Sequence, residues 1–546
     1  MIFLQVSPFW GWTTPQAVDE QAPGYATVTT DAPGVELHPS TLGQQLLGIQ
    51  VAGRALRSGE RIRVVYGAGP LGARADQYAE RGSRFWISVD GDGDGIRKTL
   101  ADSPAVDVEP GPPARLLLTL PSSARPGETV RLTAAVLDAA GNSGCRVAGK
   151  VVLQEVPPGL EIPSVIPLVP EDEGRKSVEL VAGREGIYRL RAEGPGELSA
   201  ESNPMVVGEE GMRILWADLQ IHTNFSDGTG IPEDVLRYAR DVAALDVAAI
   251  TDHDHWGMLF LDQHPPLWDH IREQSVRFHQ PGSFVTFLGY EWTSWIHGHR
   301  HVLYLDDDGE VLSSIDPRYD EPEELWNALR GRSALTVAHH SAGEPIATNW
   351  RVRPDATFEP VTEIVSVHGS SEAADSPGLV PGAIPGNFVR DALDRGYRLG
   401  FIGSGDGHDG HPGLAHLASH SGGVAAILSE ELTREAVFQA LRERRAYATS
   451  GPRILLRVSL GGHRMGSVLE APETTEELRL LVVSPAGIDR IDIIRSGQVL
   501  ETVEGELRRE IHLQGEIHDL RPGEYLYVRV VQDDGGMAWS SPFFVD

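Results

Sequence analysis

The chain has 546 residues, too many for one hydrophobic core, and its 41% hydrophobic and 23% charged residues are ordinary for a globular protein. With 47 basic against 78 acidic residues the formal net charge is −31, a field that repels phosphate backbones and anionic lipid and excludes nucleic acid or membrane as a general partner. A single cysteine, Cys145, excludes an intramolecular disulfide and a cysteine-ligated zinc. The opening "MIFLQVSPFWGW" has neither a basic segment nor a long apolar run, so no signal peptide or transmembrane helix is expected. The expected location is the cytoplasm, with export left open.

Up to about residue 210, short β-prone runs such as "RIRVVYGAG", "TVRLTAAVLD" and "GIYRLRAEG" alternate with turn residues, the spacing of all-β domains. The Pro/Gly break "VEPGPPA" (Val108–Ala114) divides them into an N-terminal β domain, 1–110, and an immunoglobulin-like β-sandwich, 111–210. "DGDGDG" (Asp90–Gly95) begins like a calcium loop, but its twelfth position is Ala101 instead of Glu, so a solvated turn is expected.

The pattern changes at Met212. Pro232 opens a helix with Val235, Tyr238, Ala239 and Val242 on one face. Further helices are expected over Glu321–Arg330, Asn387–Arg395 and Thr433–Arg445. Between them stand seven apolar runs that each end in polar residues: "ILWADLQIHT", "VAAITDHD", "FVTFLGYEW", "RHVLYLD", "ALTVAHHS", "EIVSVHG" and "LGFIGSGDGHDG". Strands alternating with helices predict a parallel βα barrel over 211–451 with its site at the C-terminal ends of the strands. From residue 452 to 546 the strand pattern returns as a C-terminal β-sandwich.

Sixteen of the 20 histidines lie between His222 and His420. One strand-end histidine is ordinarily a hydrogen-bonded structural residue. Here His222, His253, Glu291, His299, His301, His339, His340, His368, Asp406 and His408 all fall at the ends of expected strands, and a closed barrel makes them converge. Packed neutral imidazoles are hard to satisfy; a divalent cation resolves them, with carboxylates balancing its charge. Period two puts Asp406 and His408 on one strand face. His297, His299 and His301 also share a face, with His299 favoured and His301 next. In "AHHS" only one neighbour is expected to face the lumen, and His339 is favoured. Asp252 and Asp254 fit either ligation or loop capping. Trp256, Trp292, Trp295 and Trp350 fit an aromatic pocket or ordinary packing equally well.

In order along the chain, "DLQIHTNFSDG", "ITDHDHWG", "YEW", "VAHHS" and "GSGDGHDG" resemble the motifs of the PHP (polymerase and histidinol phosphatase) metallohydrolases. The closing "REAVFQALRERRAYATSGPRI" resembles the branch that contains carbaryl hydrolase. The resemblance runs from about Arg213 to Ile454. It implies a distorted (β/α)7 barrel, flanked here by all-β domains. It also implies two divalent transition-metal ions, or three, of the Mn, Fe or Zn class. Carried over by position, His222 and Asp406 would serve a first ion, Glu291 would bridge, and His299 and His339 would serve a second. Asp227, His253 and His408 would serve a third. The departure is Gln220, where the motif usually has His; an amide oxygen is the weaker ligand, so a two-ion core is expected.

These readings lead to a metal-dependent hydrolase in which metal-activated hydroxide attacks a small-molecule ester. His368 or His340 would protonate the leaving group. Phosphate mono- or diesters are the expected substrates, with carbamate or carboxyl esters as the alternative. A binding protein with a degenerate barrel is a further alternative that rests on Gln220.

Overall fold

The computed structural model describes residues 1–208, 211–419, 421–470 and 472–546. His420 and the domain boundary expected at residue 210 lie outside the described residues. Short apolar runs broken by turns make a mostly β chain, with five α-helices among the described residues, all between Pro232 and Arg442. Among the described residues no helix is long and apolar enough to cross a membrane.

The chain divides into two compact units. The first comprises Met1–Pro110 and Thr229–Ile231. Its main sheet has Ile2–Gln5 antiparallel between Leu46–Ala52 and Trp86–Val89 over a small core of Leu4, Ala26, Leu47 and Ile49. In the acidic turn the Asp90 carboxylate accepts the backbone N–H groups of Gly93 (2.6 Å) and Gly95 (3.2 Å), so it caps the turn.

The second unit comprises Gly111–Gly228 and Pro232–Asp546. It opens with two sheets. Arg115–Thr119, Glu128–Leu137 and Arg175–Ala182 form one; Gly149–Leu153, Val165–Leu168 and Arg191–Glu193 form the other. Alternate side chains from both, among them Leu116, Leu118, Leu132, Ala134, Val151 and Ile166, close one core, as period two dictates.

The histidine-rich segment supplies β1 (Arg213–Ile221), α1 (Pro232–Asp241), β2 (Val247–Ile250), α2 (Pro265–Phe278), β3 (Val285–Trp292), β4 (Arg300–Tyr304), α3 (Pro322–Leu329), β5 (Ala334–Ala338), β6 (Val361–Ser366), α4 (Val389–Asp394) and β7 (Gly400–Gly403). Nearly every residue of these strands is buried, so they read as apolar runs without alternation. The uniformly parallel βα alternation expected from the sequence needs correction. β1–β2–β3 are parallel, but β3–β4 and β4–β5 are antiparallel; β5–β6 and β6–β7 are parallel again. Residues 293–299, joining β3 to β4, form no helix, and a short connection returns the chain antiparallel. Nor do residues 339–360, between β5 and β6.

The two ends of this seven-strand run meet. Beyond β7, Asp406 N–H donates to the Gln220 carbonyl (3.0 Å) and His222 N–H donates to the Gly407 carbonyl (3.1 Å), with Ile221 bridged parallel to Gly407. On its other side β1 pairs antiparallel with β8 (Val424–Ser429), and β8 with β9 (Ala446–Thr449). β9 pairs with Met537–Ser540, so the sheet runs on into the C-terminal strands.

There a buried guanidinium ties the loop after β6 to those strands. Arg529 donates to both oxygens of Glu372 (3.1 and 3.0 Å) and, through Nε and Nη2, to Asp492 (3.1 and 2.9 Å). Tyr527 OH (2.7 Å) and Trp539 Nε1 (2.8 Å) also donate to Glu372.

Candidate metal centre

Glu291, the penultimate residue of β3, is the hub. Gln220 near the end of β1 and His222 just beyond it lie two apart, so both point the same way. Gln220 Nε2 donates to Glu291 Oε2 (3.1 Å), and His222 Nε2 lies 3.2 Å from the same oxygen. His339 Nε2 is 3.3 Å from it. Glu291 Oε1 faces His253 Nδ1 (3.0 Å) and His299 Nδ1 (2.9 Å).

Asp406 closes the far side, its Oδ1 3.3 Å from His222 Nε2 and its Oδ2 3.1 Å from His368 Nε2. The shared strand face expected for Asp406 and His408 is not how they are placed. β7 ends at Gly403, Asp406 has a left-handed φ of 49°, and the two residues join different donor groups. His408 Nε2 lies 3.3 Å, and His253 Nε2 3.4 Å, from Asp227 Oδ1.

The expectation that only one of His339 and His340 faces the interior is also corrected. His340 has φ 33°, which swings its imidazole to the same place as that of His339, and both join His299 in one buried donor group. Such left-handed residues cost about 1–3 kcal/mol each and persist where their surroundings fix them. His301 is not brought into a donor group: its ring stacks on His339 (4.5 Å), with Nε2 4.0 Å from Glu363.

Burial would push the Glu291 carboxyl up, but the imidazoles of His253, His339 and His299 overcome it and hold it well below the usual range. Burial and His253 push His222 down; Asp406 and Glu291 outweigh them and raise it to about 10. Burial, with His339, His299 and His368, holds His340 well below an ordinary imidazole, the neutral form that has a lone pair to give.

The donor set fits divalent ions. His222 Nε2, His299 Nε2, both nitrogens of His339, His340 Nδ1, Gln220 Oε1 and Asp406 Oδ2 are buried with no aligned hydrogen bond, although nitrogens and oxygens stand about 3 Å apart. Lone pairs converging in a buried pocket are unfavourable until a cation satisfies them. Three groups can do so: His222–Glu291–Asp406, His299–His339–His340 and His222–Asp227–His253–His408.

Other carboxylates hold the frame. Asp252 accepts Thr223 N–H (2.7 Å) and Ser226 OH (2.6 Å), and Asp254 accepts Ser314 N–H (2.6 Å) and Thr293 N–H (3.2 Å), so both cap loops. Asp218, which the sequence reading passed over, is fully buried. Burial pushes its carboxyl up to about 7, against the N–H groups of Gly405 (2.9 Å) and Gly413 (2.8 Å) that it accepts. A Cβ at position 405 would collide with the Asp218 carboxylate, so that loop needs glycine there. Further along the same loop, His411 Nε2 lies 2.9 Å from Asn142 Oδ1 of the sandwich, and its Nδ1 3.3 Å from Asp409. Asn142 in turn donates to Asp138 (2.8 Å). The only sequence signal for this link was the Asp-x-His repeat after "GDGH".

Of the tryptophans, Trp292 and Trp350 are core, while Trp256 and Trp295 are about two-fifths exposed and pack edge to face at 5.4 Å. Trp256 Nε1 donates to Asp227 Oδ2 (3.0 Å), and the Trp295 ring lies 5.3 Å from that of His299.

Gln220→His replaces an amide hydrogen-bonded to Glu291 with an imidazole aimed at the same oxygen. The variant should hold its ions against a chelator at higher concentrations than the parent. Unchanged chelator resistance, with the new ring turned away from Glu291 in a crystal structure, would refute this placement.

A family model described as a protein of unknown function (DUF3604) matches residues 235–388 and 413–479. The match takes in His253, Glu291, His299, His339, His340 and His368, but not His222, Asp227, Asp406 or His408. An uncharacterized protein of Chlamydia pneumoniae is 24% identical over 540 residues, covering 90% of this chain and 84% of that protein. One of Chlamydia trachomatis serovar D is 26% identical over 395 residues, and this chain spans 62% of its length. Among solved structures, a two-domain protein from Bacteroides vulgatus containing a predicted PHP-like metal-dependent phosphoesterase is similar at 14% identity and a TM-score of 0.33, covering 61% of this chain and 96% of that one. At that score the likeness fixes neither fold nor function.

Proposed function

We propose that this chain is a metal-dependent hydrolase of small-molecule esters, with a PHP-like seven-stranded barrel over about 211–451 framed by β domains at 1–110, 111–210 and 452–546. The observation that carries it is the buried convergence of imidazole nitrogens and carboxylate oxygens on Glu291. Two divalent ions of the Mn, Fe or Zn class are proposed, with Asp227, His253 and His408 able to hold a third. When bound, they would lower the pKa of a water and offset charge growing on the substrate oxygens. Glu291 holds the donor groups in register, and Asp406 orients His222 on one side and His368 on the other. The half-buried imidazole of His368 is placed to pass a proton to a leaving group.

Phosphate mono- and diesters are the first substrate class. A second reading, carboxyl or carbamate esters, is favoured by the exposed Trp256–Trp295 pair beside the cluster, which suits an uncharged apolar group. Elemental analysis of purified, reconstituted protein should find about two transition-metal ions per chain. A nitrophenyl panel of phosphates, phosphodiesters, carboxylates and carbamates should then give metal-dependent turnover. Fewer than roughly half an ion per chain, or turnover indifferent to metal, would refute the proposal.

A further inference from the structure

Adjacent residues of an extended chain point to opposite sides, yet the imidazoles of His339 and His340 meet at one place. The device is the left-handed φ of 33° at His340, immediately past the end of β5. A left-handed φ is uncommon outside Gly, although His, like Asn and Asp, reaches it more readily than other residues. What the conformation achieves is a third imidazole beside His299 and His339. The His299–His339, His299–His340 and His339–His340 ring centroids are 5.7, 5.1 and 4.3 Å apart. The rings cross at 68°, 75° and 89° instead of stacking. His299 Nε2, both His339 nitrogens and His340 Nδ1 are buried without a hydrogen-bond partner, and Glu291 stands beside them, 2.9 Å from His299 and 3.3 Å from His339.

We propose that His340 is a metal ligand and not the proton donor: with His299 and His339 it makes an imidazole-rich, three-donor group for a zinc-class cation, with Glu291 beside two of its rings. This rests on the metallohydrolase reading. Three neutral imidazoles with a carboxylate beside them are a nitrogen-rich donor set that suits a zinc-class ion, and a third imidazole tightens the hold of the other two. The neighbouring group, His222, Glu291 and Asp406, has two carboxylates and one imidazole, and Gln220 spends its amide N–H on Glu291. That oxygen-rich, incomplete set suits an exchangeable ion of the Mn or Fe class. The two positions are therefore unequal, and proton transfer falls to His368.

The test uses the full chain with Zn2+ and Co2+ as probes. His340→Asn keeps a residue that tolerates the left-handed region and removes the imidazole; His340→Gly serves the same purpose if the first variant fails to fold. In chelator competition the parent should retain one zinc far more tightly than a second. In His340→Asn the tight ion should weaken by at least roughly 10- to 100-fold, and the visible spectrum of the cobalt form should change. His368→Asn should lose turnover while keeping parental zinc affinity and cobalt spectrum. Parental affinity and spectrum in both His340 variants would overturn the assignment, as would equal weakening of both ions. A parent that takes up no zinc or cobalt would instead overturn the metallohydrolase reading, so the two failures are distinguishable.

Discussion

On the proposed function, Glu291→Gln is expected to leave the chain folded but to lose both ions and more than roughly 100-fold in turnover, exceeding what removal of a supporting residue costs. The substitution keeps the shape of the side chain and removes its charge. Five donor atoms now stand within 3.3 Å of the carboxylate, from Gln220, His222, His253, His299 and His339. An amide offers one weak oxygen where the carboxylate offers two, and its NH2 group faces imidazole nitrogens that an ion would need. Metal content, turnover and circular dichroism of the purified variant check the result together. Parental metal content with parental turnover would remove Glu291 from the centre.

Arg529→Met is expected to lower stability by about 3–5 kcal/mol, the range for breaking a buried ion pair by deleting one partner. The deletion removes the guanidinium that joins Glu372 and Asp492, which are 1% and 3% exposed, and leaves only the longer contacts of Arg490 with Asp492 (3.4 Å) and Arg390 with Glu372 (4.0 Å). Burial pushes Arg529 down, but Glu372 and Asp492 more than offset it and hold the guanidinium above its usual range, so the folded state depends on the charged form. Tyr527 and Trp539 still donate to Glu372, which limits the loss on that side. Adding Glu372→Gln and Asp492→Asn should recover much of the stability, since the excess buried charge goes with them. Denaturant midpoints of the three proteins check this. A loss below about 1 kcal/mol, the scale of an exposed pair, would show that water reaches the node.

The seven strands of the histidine-rich segment are legible in sequence because each is an apolar run buried on both faces and ended by polar residues. Their directions are not. Nothing in "TSWIHGH" distinguishes a short return from the start of a helical crossover, and that return makes β4 antiparallel to β3. The gathering of histidines at strand ends is visible by position alone, and so is the oddity of Gln220. The left-handed turns at Asp406 and His340 are invisible, because Asp and His adopt that region at only a minority of positions and nothing in the neighbouring residues singles these two out. Period-two reasoning therefore misplaces both the Asp406–His408 pair and the His339–His340 pair. The Asn142–His411 contact spans 269 positions and has no periodicity to betray it.

That contact bears on how the chain can be rearranged. Surface loops of a sandwich are ordinarily where insertions are absorbed and where one module can be exchanged for another. Here residues 138–142 brace the segment that carries Asp406 and His408: Asn142 stands against His411, and the Tyr238 hydroxyl of α1 donates to the Gly141 carbonyl (2.7 Å). Transplanting 211–451 onto another scaffold would carry the donor residues across but leave their brace behind. The sandwich and the histidine-rich segment belong to one compact unit, and length changes between Leu137 and Cys145 are constrained in a way that their loop position alone does not suggest.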